Sequence, residues 1–223
     1  HALHHTSLTL AVFPAPDESG VSPALAGNDP RAFSFLESLE LGGSTGKNED
    51  VILITDVSHY LAAKEELDRR VRSGAATVFL SLPEGSHTIG DSSIAVHAAG
   101  MGSRHFVSCA SGHPLADGFL PQDFKFWFDE RSGHASPILH TVLDGEGWTP
   151  ILLSGDGGWS RPWGPVAAAA ERREGRGVWR VCQVDLLDRV RTNPVARLFA
   201  RRLLLPAGHP SLRERAQELP NPK

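Results

Sequence analysis

The sequence predicts an α/β fold: a mostly parallel sheet with helices on both faces and an added β-hairpin region. Three observations predict it. Residues 50–85 read as strand, helix and strand; Asp29-Pro30 opens an earlier amphipathic helix; and an apolar run at 178–184 leads to another helix that begins at Asn193-Pro194.

The stretch 50–85 organises the rest. Val51, Ile52, Leu53 and Ile54 form a short aliphatic run without alternation, as expected of a strand buried on both faces of a parallel sheet. Asp56 and Ser58 offer helix caps, Leu61, Leu67 and Val71 recur at helical spacing between charged residues, and Gly74 is a stop. Residues 76–82 are a second apolar run, which makes a βαβ unit with a right-handed crossover. Ligands of such sheets sit beyond the carboxyl ends of the strands, here at the turn Leu82-Pro83-Glu84-Gly85.

The flanking elements follow in order. Residues 6–13 (TSLTLAVF) read as a first strand and 14–30, rich in Pro, Gly, Ser, Asp and Asn, as a loop. Asp29 as cap and Pro30 at the first position start a helix with Phe33, Leu36 and Leu39 as its apolar stripe, ending at Gly42-Gly43. Residues 42–46 match G-x-S-x-G, but a nucleophile elbow joins a strand to a helix, and this segment joins a helix to a strand. Lys47 after Gly46 hints at a phosphate loop, yet Leu41 and Asn48 stand where Gly and Ser or Thr belong. Short strands are expected at 92–98 and 105–109, and a hairpin joining 138–143 to 148–153 through 144–147. Residues 165–173 have helical propensity, but Glu174-Gly175-Arg176-Gly177 before the run 178–184 favours a strand and a glycine hairpin. The helix after Asn193-Pro194 runs through Leu204 and stops at Pro206, and 211–214 has capping-box form. The expected organisation is a linker or expression remnant at 1–7, one α/β domain at 8–205 and a tail at 206–223.

Composition removes several functions. The 223 residues, 40% hydrophobic, suffice for a full core in one large domain. A net charge of -4 leaves no basic field for nucleic acid or anionic membranes. No apolar run reaches the roughly 20 residues of a membrane span. The start at His1 without a signal-like segment suggests a piece of a longer polypeptide. Cys109 and Cys182 are too few for a disulfide scaffold and wrongly arranged for zinc, and HALHH at 1–5 reads as a frayed end, so no metal and no cofactor is expected.

The string 175–204, GRGVWRVCQVDLLDRVRTNPVARLFARRLL, with SGHPLADGFLPQDFKFWFDE at 111–130, resembles the class I glutamine amidotransferase-like domain found toward the carboxyl end of some bacterial family 2 glycoside hydrolases, the β-galactosidase-like and β-mannosidase-like enzymes. The resemblance implies a flavodoxin-like three-layer sandwich. It also implies, as partners, the other domains of a larger bacterial enzyme and its carbohydrate. The chain departs from active amidotransferases where catalysis needs it. The elbow reads Leu80-Ser81-Leu82-Pro83-Glu84-Gly85 without a thiol, and none of the 11 histidines has Glu two residues later.

The chain holds other nucleophiles. Cys109 lies four residues before His113, but Cys is commonly a small buried hydrophobe and His before Pro commonly a turn residue. Ser81 or Glu84 at the elbow lacks an identifiable base or acid partner. Carboxylates at Asp129-Glu130, Asp144, Glu146 and Asp156 lie in expected loops with nothing to fix a glycosidase spacing. Trp148, Trp159 and Trp163 flank 154–158, where indole faces beside small polar residues suit sugar stacking or domain docking. The segment 154–165, with four glycines and two prolines, is expected to be irregular.

The resulting expectation is a non-catalytic accessory domain of a carbohydrate-active glycoside hydrolase with a structural or interdomain role. Pro83, Glu84, Gly85, Asp156, Trp159 and Trp163 would then be its ligand or interface residues. The alternatives are a sugar or small-ligand binding module, and a hydrolase with an unrecognised nucleophile.

Overall fold

The computed structural model describes residues 21–42, 50–100, 104–129, 131–158 and 161–210, with the backbone alone at 156–158 and 161–163. The elements are β1 (Ala24–Leu25), α1 (Pro30–Ser38), β2 (Val51–Ile54), α2 (Val57–Ala62), α3 (Lys64–Ser73), β3 (Ala76–Leu80), β4 (Gly85–Ile89) and β5 (Ser92–Ala98). After a 3-10 turn at Pro114–Ala116 come β6 (Phe128–Asp129), β7 (His134–Ala135), β8 (Thr141–Asp144), β9 (Thr149–Gly158), β10 (Arg161–Glu174), β11 (Gly177–Cys182) and α4 (Pro194–Leu203).

The predicted βαβ unit forms. Strands β2 and β3 pair in parallel from Val51↔Ala76 to Ile54↔Phe79, and β11 adds in parallel on the other side of β3. The Asp29 side chain caps α1 by accepting from the Arg31 N–H, and Asn193 caps α4 through Val195 and Ala196. Helices α1 and α4 pack Phe35, Leu36, Phe199 and Leu203 on one face of the parallel strands, against Leu53, Val78 and Val178. On the other face Tyr60, Leu67 and Val71 meet Ile54, Phe79 and Trp179.

The flavodoxin-like three-layer sandwich does not form. The nine-stranded sheet runs β1-β2-β3-β11-β10-β8-β5-β4 with β9 on β10, a curled mixed sheet with few helices. Only β1, β2, β3 and β11 are mutually parallel; β4, β5, β8, β9 and β10 pair antiparallel. The reason is loop length. Parallel neighbours need a crossover of a dozen residues or so, whereas β4–β5 and β10–β11 are joined by two-residue turns at Gly90-Asp91 and Gly175-Arg176, which force antiparallel pairing.

Four finer expectations change. Strand β4 follows the elbow, where the sequence suggests only a turn. The run 105–109 contributes isolated bridges at Phe106 and Ser108 in place of a strand. Strands β8 and β9 do not pair with each other; each pairs with β10. The segment 154–165 is regular over most of its length, because β9 and β10 pair from Thr149↔Glu171 out to Gly158↔Arg161. Pro162, which has no N–H to give, falls in the register shift between Arg161 and Gly164. The expected strand at 6–13, the motif look-alikes at 42–46 and the turn at 211–214 lie outside the described residues, apart from Gly42.

Candidate functional site

The carboxyl ends of β2, β3 and β11 open into a cleft of about 450 Å³, the position from which ligands are usually held by parallel strands. Thr55 and Asp56 follow β2, Ser81 and Pro83 follow β3, Gln183 and Asp185 follow β11, and His140 and Thr141 close the far side. The near wall is fixed by α1. Asp29, while capping that helix, also accepts from Thr55 Oγ1 at 2.6 Å, and this hydrogen bond outweighs burial to hold the Asp29 carboxyl below its usual range.

The elbow has an unusual backbone. Ser81 adopts φ +71°, a left-handed conformation uncommon for a residue with a Cβ, and its N–H donates to the Cys182 carbonyl at 2.9 Å. The next residue, Leu82, is 1% exposed. Its N–H donates to Gln183 Oε1 at 2.8 Å, and its carbonyl accepts from Gln183 Nε2 at 2.9 Å. In a nucleophile elbow the N–H after the nucleophile is an oxyanion donor and a helix follows. Here that N–H is consumed by a buried amide, and the chain continues into β4.

Among the described residues, those singled out in the sequence lie at several separate places. Ser81 and Pro83 line the cleft. Glu84 and Gly85 are exposed where β4 begins, and His87 Nε2 donates to the Pro83 carbonyl at 2.7 Å. Cys109 donates through Sγ to the Phe119 carbonyl, and burial pushes its thiol pKa up. His113 instead accepts from the Leu115 N–H through Nδ1 and places Nε2 3.7 Å from Glu171 Oε1. Cys182 is fully buried in β11, its thiol pushed up to about 12 by burial. Asp156 is opposite Gly164 in the β9–β10 ladder, and Trp163 lies within β10. Trp159 falls outside the described residues, as do the side chains of Asp156 and Trp163. Trp148 is buried.

Two polar clusters escaped sequence reasoning. Tyr60 Oη donates to Asp68 and accepts from the Gly90 N–H, while Lys64 Nζ reaches Tyr60, Asp68 and the Gly90 carbonyl, so the β4–β5 turn is tied to α2 and α3. Arg180, 1% exposed, pairs with Glu171 on the neighbouring strand. An arginine inside the apolar run VWRVCQV was the available signal, since a strand buried on both faces accepts a charge only with a partner. Among the described residues no group of three or more His, Cys, Asp or Glu could hold a metal ion, and no helix is long and apolar enough to cross a membrane.

No family model matches the chain, and no curated protein matches it. Among solved structures it is similar to a β-galactosidase from Rahnella sp. R3, at 11% identity and a TM-score of 0.48, over 82% of this chain and 30% of that one. It is also similar to the exo-β-1,4-mannosidase Op5Man5 from Opitutaceae bacterium strain TAV5, at 13% identity and a TM-score of 0.47, over 83% and 36%. Both are glycoside hydrolases, and the chain spans about a third of the length of each. The amidotransferase part of the sequence resemblance gains no support from these comparisons.

Proposed function

We propose that this chain is a non-catalytic accessory domain of a carbohydrate-active glycoside hydrolase, with a structural or interdomain role. The observation that carries the non-catalytic half is the Gln183 clamp on Leu82: the Leu82 N–H, the donor that would follow a nucleophile at Ser81, is already satisfied. Both thiols are also held in the unreactive form, opposite to what a nucleophilic cysteine requires. The carbohydrate half is supported by the resemblance of 111–130 and 175–204 to the accessory domains of family 2 glycosidases. The test is to assay the purified chain against glutamine, p-nitrophenyl acetate and p-nitrophenyl glycosides. No turnover above buffer is expected; turnover abolished by Ser81→Ala, Glu84→Gln or Cys109→Ala would overturn the reading.

A further inference from the structure

We propose that the strand-end cleft is a binding site for a small neutral polyol of monosaccharide size. The cavity, about 450 Å³, falls within the roughly 300–1,000 Å³ of ordinary small-molecule sites. Its lining combines aliphatic side chains, Leu80, Val57 and Leu186 among them, with polar groups of both kinds.

The polar groups are held in place before any ligand arrives. Thr55 is fixed by Asp29, and Asp56 by the Ser58 N–H at 2.8 Å. Gln183, 5% exposed, is immobilised by its double bond to Leu82. Its Nε2 carries two protons and one goes to the Leu82 carbonyl, so the second has no protein acceptor among the described residues. Ser81 reaches the cleft because its backbone is held in the left-handed region, a conformation that costs energy and is found where a side chain must be aimed. Side chains already ordered lose little entropy on binding, which favours a weakly interacting ligand.

Charge selects the ligand class. Arg31, Asp56 and Asp185 border the cleft, but each has a protein partner: Asp188 for Arg31, the Ser58 N–H for Asp56, and Arg189 for Asp185. Arg31 and Asp185 are thus offset by ion pairs, while the Asp56 carboxylate keeps its charge and serves as a hydrogen-bond acceptor for a hydroxyl. Ser81, Thr141 and the spare Gln183 proton offer donors beside carboxylate and hydroxyl acceptors, a mixture matched by hydroxyl groups, which donate and accept at once. A pyranose adds an apolar face for the aliphatic wall. Such binding is independent of the accessory role, because hydrolysis assays test catalysis and a titration tests occupancy.

The experiment is titration of the isotope-labelled 223-residue chain with D-galactose, D-mannose and D-glucose, followed by amide NMR shifts, with inorganic phosphate and 1,4-diaminobutane as charged probes. At least one hexose is expected to give saturable shifts at the Thr55, Ser81, Leu82 and Thr141 amides. Ser81→Gly, which suits the left-handed backbone, and Thr141→Val should each weaken binding about five- to tenfold. Ser132→Ala, in the β6–β7 turn, should leave it unchanged. The site is refuted by no saturable shift up to about 50 mM of any hexose. Shifts insensitive to both cleft variants, or saturation by phosphate or the diamine alone, refute it equally. The amide spectrum of each variant reports whether it is folded, and either variant alone suffices.

Discussion

Arg180 Nε lies 2.8 Å from Glu171 Oε2, pairing the neighbouring strands β11 and β10 through a guanidinium that is 1% exposed. Arg180 Nη1 donates to the carbonyls of Leu203 and Leu205 at 2.7 and 2.5 Å, so the same side chain ties the sheet to the carboxyl end of α4, where backbone acceptors lack helical partners. Burial works against charge on Glu171, but His113 and Arg180 outweigh it and hold the carboxyl at about 2.

This pair predicts an acid-sensitive stability. The Glu171 carboxyl titrates lower in the folded chain than its ordinary 4.5, so its contribution is complete above about pH 4.5 and disappears as pH falls toward 2. The shift corresponds to on the order of 3 kcal/mol, with a side chain only 12% exposed. Urea denaturation between pH 5 and 2 should show Glu171→Gln less stable at pH 5 and markedly flatter with pH than the parent. Equal slopes would mean that Glu171 is not the titrating group.

Tyr60 is the hub of the second cluster. Removing its hydroxyl in Tyr60→Phe takes one acceptor from the Gly90 N–H and Lys64 and one donor from Asp68, in a site where the tyrosine itself is fully buried. The expected cost is about 1–3 kcal/mol, with amide exchange accelerated first at Gly90 and Asp91 because the β4–β5 turn loses its anchor. A uniform acceleration across the sheet would instead place the effect on global stability.

Much of the parallel half was legible because its signals are local. The run Val51–Ile54, the cap Asp56, the cap Asp29 with Pro30 and the cap Asn193 with Pro194 all act where they are read. In the antiparallel half the strand at 92–98 and the glycine hairpin between β10 and β11 were legible, but most pairings were not, because partners distant in sequence decide them: Val96 pairs with Leu143, and Ser154 with Val166. Residues 154–158 look like a loop on composition, yet β10 supplies the ladder that makes them a strand. Within the cleft, Ser81 and Pro83 follow from the rule that parallel strands present ligands at their carboxyl ends. The Gln183 clamp could not be foreseen, since it joins positions 101 apart.

The β10–β11 turn gives a steric prediction. Gly175 has φ +60°, and a Cβ there would stand 2.6 Å from the Arg72 carbonyl oxygen of α3, a backbone atom that cannot swing away. Gly175→Val should therefore destabilise the fold by roughly 1–3 kcal/mol, as both the left-handed backbone and the close approach disfavour it. Gly42→Val is the control, since nothing lies within 4 Å of a Cβ at that position. Comparable losses from both would assign the effect to glycine replacement in general.

The elbow offers a prediction with two opposite signs. Gln183→Leu keeps a similar volume but strands the Leu82 N–H and carbonyl in a residue that is 1% exposed, and each orphaned group costs about 1–3 kcal/mol. Ser81→Gly acts the other way: it relieves roughly 1–2 kcal/mol of left-handed strain, offset by up to about 1 kcal/mol of added freedom in the unfolded chain. Chemical denaturation should accordingly rank Ser81→Gly at or slightly above the parent and Gln183→Leu well below it. Freeing the Leu82 N–H does not supply Ser81 with a base, so Gln183→Leu is also expected to leave p-nitrophenyl acetate hydrolysis at the buffer rate. If that variant instead hydrolyses the ester and Ser81→Ala abolishes the gain, the clamp is what silences a latent nucleophile, and the accessory-domain reading fails at its central observation.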